Sequence, residues 1–129
     1  MKRVALIALS FVLLASACGP PGPKVYSRVK TMQCLRGKQL AIGAPPASDF
    51  VATTALGGAF RARLPDNSVT VAFGDTIDHA NNLNQAYHTF RAKKVGIETV
   101  LFQMGNAVML WHIAPSDADL KLVQGCLKT

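Results

Sequence analysis

The sequence predicts an α+β domain, with an antiparallel sheet of four to five strands, about three helices packed on it and one disulfide. Two segments, "AFRARLPDNSVTVAF" and "ETVLFQMGNAVMLWHI", alternate apolar and polar residues on both sides of a turn, which is typical of antiparallel hairpins. Three other segments repeat apolar residues at helical spacing. The order helix, short strand, hairpin, helix, hairpin, helix is that of an α+β domain, and a ferredoxin-like arrangement would fit its middle segment.

Three elements are predicted before the first hairpin. Residues 27–35 form a helix that ends at Gly37, because apolar residues recur there at helical spacing. Residues 38–43 alternate weakly and predict a short strand, whereas residues 44–58, rich in Ala, Pro, Thr and Gly, predict a loop. The apolar positions of the helix are Val29, Met32, Cys34 and Leu35.

The first hairpin is predicted to turn at the four residues 65–68. This register puts apolar residues opposite one another on one face and polar residues on the other, as a sheet with one buried and one wet face requires. The predicted pairs are Leu64 with Val69, Ala62 with Val71 and Phe60 with Phe73, and the polar face carries Arg61, Arg63 and Thr70.

The second hairpin is predicted to turn at Gly105-Asn106, since a type II′ turn needs glycine at its first central position. Its opposite face mixes polar and apolar residues, so part of that face should be covered as well. The predicted core pairs are Met104 with Ala107, Phe102 with Met109 and Val100 with Trp111.

Two more helices are predicted around the second hairpin. Asp75 can cap a helix that runs to about Lys93, with acidic residues at its positive end and basic residues at its negative end. Ser116, which follows Pro115, can cap the last helix. The inward-facing residues are Ile77, Ala80, Leu83, Tyr87 and Phe90 in the first of these helices and Leu120, Val123 and Leu127 in the second.

Residues 1–17 have the three parts of an export signal: the basic Lys2 and Arg3, an apolar core, and small residues before a cleavage point. The apolar core is too short to span a membrane, which takes about 20 residues. The chain therefore divides into a signal peptide at 1–17, a Pro/Gly-rich tether at 18–26 and a single α+β domain at 27–129.

The segment Leu14-Ala15-Ser16-Ala17-Cys18 resembles the lipobox of bacterial lipoproteins, although that family usually has leucine where this chain has Ala15. The resemblance implies that the Cys18 thiol receives diacylglycerol and that the new N-terminus is acylated, which makes the membrane a partner. Gly19, in place of Asp, implies the outer membrane in a cell with two membranes. Residues 19–23 suit an extended tether. Ordinary secretory cleavage at the same bond, which releases a soluble protein, stays open.

Cys34 and Cys126 are the other two cysteines, and with a free Cys18 three pairings are conceivable in an oxidising compartment. Acylation of Cys18, which the lipoprotein resemblance implies, leaves the Cys34–Cys126 pair. Cys34 and Cys126 are 92 positions apart. In the chain-entropy model a disulfide that closes a loop of this length stabilises the fold by about 4–5 kcal/mol. No second Cys or His lies at ligand spacing, so no metal site is predicted.

A second resemblance covers most of the mature chain. The segments "QCLRGKQLAIG" and "GNAVMLWHIAPSDADLKLVQGCL" are similar to the opening and the ending of small exported bacterial proteins that share a Gly-Asn hairpin, a Trp-ended strand and a Cys-Leu helix. This resemblance supports the α+β fold and the Cys34–Cys126 bridge. It implies no activity, because none is assigned to such proteins.

Signatures of catalysis are missing from the sequence. There is no G-x-S-x-G elbow, P-loop or dinucleotide fingerprint, and Glu98 is the sole glutamate, so we predict no catalytic residue, no cofactor and no metal. His79 should form an exposed pair with Asp75, one helical turn away. The alternative is a ligand pocket built from His112, Gln103 and Thr99 on the mixed face of the second hairpin.

The chain is basic: residues 18–129 carry 12 Lys and Arg against 7 Asp and Glu. The basic clusters predict contact with anionic lipid or with an acidic envelope polymer, or simply a solvated surface. Nucleic acid is not expected as a partner, because the domain is predicted to lie outside the cytoplasm and the strands do not interleave basic and aromatic residues. The leading hypothesis is a non-enzymatic, lipid-anchored binding module of the cell envelope; the alternative is a small secreted enzyme or pocket protein with a site around His112.

Overall fold

The computed structural model of the protein describes residues 24–91 and 96–129. The predicted signal peptide, Cys18, most of the tether, Lys93 and Lys94 lie outside this range. The helices are α1 (Arg28–Gly37), α2 (Phe50–Thr53), α3 (Ile77–Arg91) and α4 (Asp117–Gly125), with a 3₁₀ turn at Ile97–Thr99. The strands are β1 (Ala41–Gly43), β2 (Ala59–Arg63), β3 (Ser68–Phe73), β4 (Leu101–Met104) and β5 (Ala107–Trp111).

The described strands form one sheet in the order β1-β2-β3-β5-β4, and every neighbouring pair is antiparallel. The predicted α+β class is confirmed. Because β5 lies between β3 and β4, the unit β3-α3-β4-β5 is a split β-α-β arrangement, which is half of the ferredoxin-like pattern. The rest of the domain departs from that pattern, since helices lie on both faces of the sheet.

Both faces of the sheet carry apolar clusters. One cluster joins the sheet to α1 and α4 and contains Leu35, Phe60, Val71, Trp111 and Val123. The other joins β4 and β5 to α2 and α3 and contains Val51, Tyr87, Leu101 and Val108. The second layer of helices explains the mixed face of the second hairpin, whose apolar residues are buried beneath α3. On the β1–β2 half of this second face α2 approaches β2 but leaves Ala41, Gly43 and Arg63 exposed.

The first hairpin forms, but its predicted register is wrong by two residues. Ala62 pairs with Val69 and Phe60 pairs with Val71, and the Leu64 N–H donates to the carbonyl of Asn67. A shift of two residues keeps each side chain on its predicted face. The turn is tighter than predicted, and Asn67 stabilises it. The Asn67 Nδ2 donates to the Ile113 carbonyl, and its Oδ1 accepts the Ile113 N–H, just beyond the end of β5.

The second hairpin has the predicted register. Met104 pairs with Ala107 and Phe102 pairs with Met109, and the Trp111 N–H donates to the Val100 carbonyl over 2.8 Å. Gly105 has a φ of 56°, so glycine is the residue that tolerates this position.

Helix α4 is capped by Ser116, as predicted, and helix α1 is capped by Ser27. In α3 the predicted cap, Asp75, is wrong: the Thr76 hydroxyl accepts the N–H of His79 instead. Helix α2 lies within the stretch predicted as loop, because a single turn is too short to show helical periodicity.

Two predicted core residues of the helices are exposed, and so is Met104 at the end of β4, which is 38% exposed. Val29 of α1 is 55% exposed, and the buried residues of that helix are Thr31 and Leu35. Phe90 of α3 is 60% exposed and packs edge-to-face against Phe50 of α2. In both cases the helix continues past the edge of the surface it covers, so its terminal apolar residue lies outside the core.

The expected disulfide joins Cys34 of α1 to Cys126 at the end of α4, with a Cα–Cα distance of 5.4 Å. A hydrogen bond from the Ser27 N–H to the Lys128 carbonyl holds the same two segments together. Within the described parts of the chain, no helix is long and apolar enough to cross a membrane.

Candidate functional site

The β1–β2 half of the sheet presents two arginines from β2. Arg61 lies between Gly43 of β1 and Thr70 of β3, and Arg63 lies between Ala41 and Ser68. Because the edge strand contributes only glycine and alanine on this face, a trough remains beside the two long side chains.

Two adjoining cavities occupy this trough. One has a volume of about 230 Å³ and the other about 250 Å³, and both are lined by Pro46 and Arg61. We call the combined depression the Arg61 groove. The polar side chains along it belong to Asp49, Arg61, Arg63, Ser68, Thr70 and His112.

Arg61 is held in place but keeps most of its hydrogen-bonding capacity. Its Nη2 donates to the Ser68 hydroxyl over 2.9 Å, and the side chain is half-buried. The remaining guanidinium N–H groups have no acceptor among residues 24–91 and 96–129, and a guanidinium has five donors in all. In the same parts of the chain no carboxylate lies at ion-pair distance from Arg61 or Arg63. The groove therefore presents two arginines, neither of which forms an ion pair within the described residues.

The one carboxylate that lines the groove, Asp49, is engaged in the fold. It is 3% exposed, and its Oδ1 accepts the N–H of Ala52 over 3.1 Å, which caps α2. The hydroxyl of the buried Tyr87 donates to both oxygens of Asp49, at 3.2 and 3.1 Å. Asp49 thus fixes α2 to α3 at the edge of the groove.

The predicted pocket of His112, Gln103 and Thr99 does not come together. His112 is exposed and lines the Arg61 groove, and its backbone N–H donates to the Ser68 carbonyl. The Gln103 amide bonds Asn81 of α3 and the Gly105 carbonyl, and the Thr99 hydroxyl bonds the Gly96 carbonyl. Neither of these two residues lines the cavity that contains His112.

This separation has a local cause. Thr99 belongs to the 3₁₀ turn that precedes β4, and β4 itself begins two residues later. Gln103 lies under α3. The predicted hairpin pairing extended to Thr99, whereas β4 starts only at Leu101.

The other candidate residues are placed as follows. His79 forms the predicted exposed pair with Asp75. Cys18 lies outside the described residues, so its lipidation stays a prediction. A search of the described residues finds no group of His, Cys, Asp or Glu side chains that could hold a metal ion.

Arg61 and Arg63 were predicted only as basic residues on a polar strand face. The signal that could have singled them out is the run Ala41-Ile42-Gly43, which places the smallest residues opposite two arginines. That signal required the pairing of β1 with β2, which the sequence did not reveal.

The chain was compared with protein-family models, curated proteins and solved structures. No protein-family model, curated protein or solved structure matches this chain.

Proposed function

We propose that this protein is a lipid-anchored module of the cell envelope that binds an acidic polymer in the Arg61 groove. The observation that carries the proposal is the pair of arginines, Arg61 and Arg63, on a partly exposed sheet face without a carboxylate partner in the described chain. Binding, not catalysis, is the activity that such a surface supports.

The anchor half of the proposal rests on the N-terminal pattern. The pattern of an export signal at 1–17 is followed directly by Cys18, which resembles the lipobox arrangement, and then by a Pro/Gly-rich tether. Two or more acyl chains on one residue, at about 0.8 kcal/mol per buried methylene, attach a protein durably where a single chain does not.

The ligand half rests on the chemistry of the groove. Guanidinium groups bind carboxylate and phosphate through paired N–H donors, and these charge-assisted bonds are about twice as strong as neutral ones. Arg61 and Arg63 are two residues apart on one strand face, so their Cα atoms lie about 7 Å apart along the strand. An extended polymer with repeated anionic groups can engage both, with the Thr70 hydroxyl and His112 beside the first.

The binding test compares Arg61→Gln with Arg36→Gln in the mature protein. Arg36 is an exposed arginine of α1, on the other side of the sheet, so the control removes the same charge elsewhere. The probes are poly(glycerol phosphate) and polygalacturonate, measured by calorimetry. Loss of hydrogen bonds to a charged group costs about 1.5–3 kcal/mol, so Arg61→Gln should weaken binding roughly 10- to 100-fold. Equal weakening in both variants would show that only net charge attracts the polymer and would refute the groove.

The anchor is tested separately with Cys18→Ala. The proposal predicts that the wild-type protein fractionates with membranes and that the variant accumulates as uncleaved precursor or leaves the membrane fraction after processing. Unchanged membrane retention of a processed variant would refute the lipid anchor and leave the groove untouched.

A pocket enzyme is the competing hypothesis, and one observation favours it: Ser68, Asp49 and His112 line the same cavity. Against it, the Ser68 hydroxyl bonds Arg61, whereas an activated serine bonds the histidine ring at about 2.6–3.2 Å. Hydrolysis of a panel of small esters that is lost in His112→Ala and kept in Arg61→Gln would favour the enzyme.

A further inference from the structure

The end of the domain at which the tether arrives has an unusual surface. The backbone of Tyr26 exchanges hydrogen bonds with the Asn106 side chain at the tip of the second hairpin. The same amide donates to the Gly74 carbonyl, and the Gly57 N–H donates to Phe73. We call this end, formed by residues 24–30, 54–58, 74–76 and 104–106, the tether end.

Exposed apolar side chains concentrate at the tether end. Among the described residues, seven large apolar side chains are exposed, and four of them lie here. Leu56 is 70% exposed and Met104 is 38% exposed. The four are Val25, Val29, Leu56 and Met104.

The charges at this end are mainly basic. Lys24 and Lys30 are exposed, and the Lys30 Nζ uses one of its three donors on the Thr129 carbonyl over 2.9 Å. The Arg28 side chain lies over Gly58, where a Cβ would collide with it. Of the two acidic residues nearby, Asp75 is paired with His79, which leaves Asp78. A surface that combines exposed apolar side chains with surrounding Lys and Arg is suited to binding anionic lipid headgroups.

The tether limits how far this end can be from the membrane. Five residues lie between Cys18 and Lys24, and a fully extended chain over these six Cα–Cα steps spans at most about 20 Å. If Cys18 is acylated, the tether end stays within that distance of the headgroups. The opposite end of the sheet, with Ser68 and His112, lies one length of β3 from the tether end, about 17 Å.

We propose that the tether end docks on the surface of an anionic lipid bilayer, with Leu56, Val25 and Met104 at headgroup depth and Lys24 and Lys30 on the lipid phosphates. This inference rests on the proposed acyl anchor, which brings the surface to the bilayer but does not by itself orient the domain. Docking at this end orients the sheet away from the membrane and presents the Arg61 groove to the envelope space.

A positioned fluorophore tests the orientation. The variants Leu56→Cys and Ile113→Cys receive an environment-sensitive dye in the lipidated protein, in which Cys18 is acylated and Cys34 is bonded to Cys126. Ile113 is the matched control, since it is 52% exposed and lies at the opposite end. Both are reconstituted in phosphatidylcholine vesicles with and without phosphatidylglycerol, and dye quenching by headgroup-level quencher lipids is measured.

The proposal expects the dye at position 56 to be quenched several-fold more than the dye at position 113 in vesicles with phosphatidylglycerol. The substitutions Lys24→Glu and Lys30→Glu should remove this difference, whereas Lys121→Glu should keep it. Equal quenching at both positions, or no quenching at position 56, would overturn the docking. Shielding of position 56 without vesicles would also overturn it and would assign the surface to a second copy of the chain.

The same vesicle samples separate this inference from the anchor. Intact mass shows whether Cys18 carries its acyl groups. If the protein is acylated and the dye at position 56 is not quenched, the docking alone is refuted. If the protein carries no acyl groups, the anchor on which the docking rests is refuted.

Discussion

The Cys34–Cys126 disulfide should supply a large part of the stability of the domain. The two residues are 92 positions apart, and the bond joins the first helix to the last. The chain-entropy model gives a loop of this size about 4.6 kcal/mol at 25 °C. Apart from the disulfide and apolar packing, a few hydrogen bonds join these segments, such as those from Ser27 and Lys30 to the backbone at Lys128 and Thr129.

The perturbation is the double variant Cys34→Ala/Cys126→Ala, compared with wild type by urea denaturation in the detergent that keeps the lipidated protein in solution. Small domains are stable by about 5–15 kcal/mol, so a loss of about 4–5 kcal/mol should lower the urea midpoint strongly. For a domain of this size the melting temperature should fall by roughly 20 °C.

The single variant Cys34→Ala serves as the control, because it opens the same loop and should lose nearly as much stability. A double variant within about 1 kcal/mol of wild type, with an unchanged denaturant slope, would refute the reasoning. It would mean that the packing of α1 and α4 on the sheet already restricts the chain ends.

Three further predictions concern buried polar groups. Asn106→Ala removes an amide that bonds Tyr26 and Gly74, so the domain should lose about 2–4 kcal/mol in urea denaturation, and the segment at Tyr26 should exchange its amide protons faster. Tyr87→Phe removes the hydroxyl that donates to the buried Asp49, which should cost about 1–3 kcal/mol, and a neutral outcome would mean that water replaces it. Trp111 is 2% exposed and its indole N–H has no acceptor in the described chain, so Trp111→Phe should cost much less than Trp111→Ala, for which a buried aromatic typically gives about 3–5 kcal/mol; equal losses would contradict this.

The register of the second hairpin could be predicted because its information is local. Gly105-Asn106 fixes the turn, and the turn fixes every pair behind it. The first hairpin contains Pro65 and Asn67, which permit more than one turn, and the choice between registers depends on a contact of Asn67 with Ile113, far away in the chain. Periodicity gives the face of each residue, whereas long-range contacts set the register.

The candidate site was harder to predict, for the same reason. Arg61 and Arg63 become a site only because β1 pairs with β2 through small residues and because α2 and α3 leave part of this half of the sheet exposed. His112 lines the groove without its expected neighbours: Thr99 precedes the start of β4, and Gln103, which pairs with Val108, is hydrogen-bonded to Asn81 of α3.

The central claim is that this domain is held at a membrane by lipid on Cys18, and the intact mass of the mature protein tests it most directly. We predict a chain that begins at Cys18, found in the membrane fraction, heavier than residues 18–129 by a diacylglyceryl group and an N-terminal acyl cap. An unmodified chain that begins at Cys18 and is recovered from the medium would contradict the account.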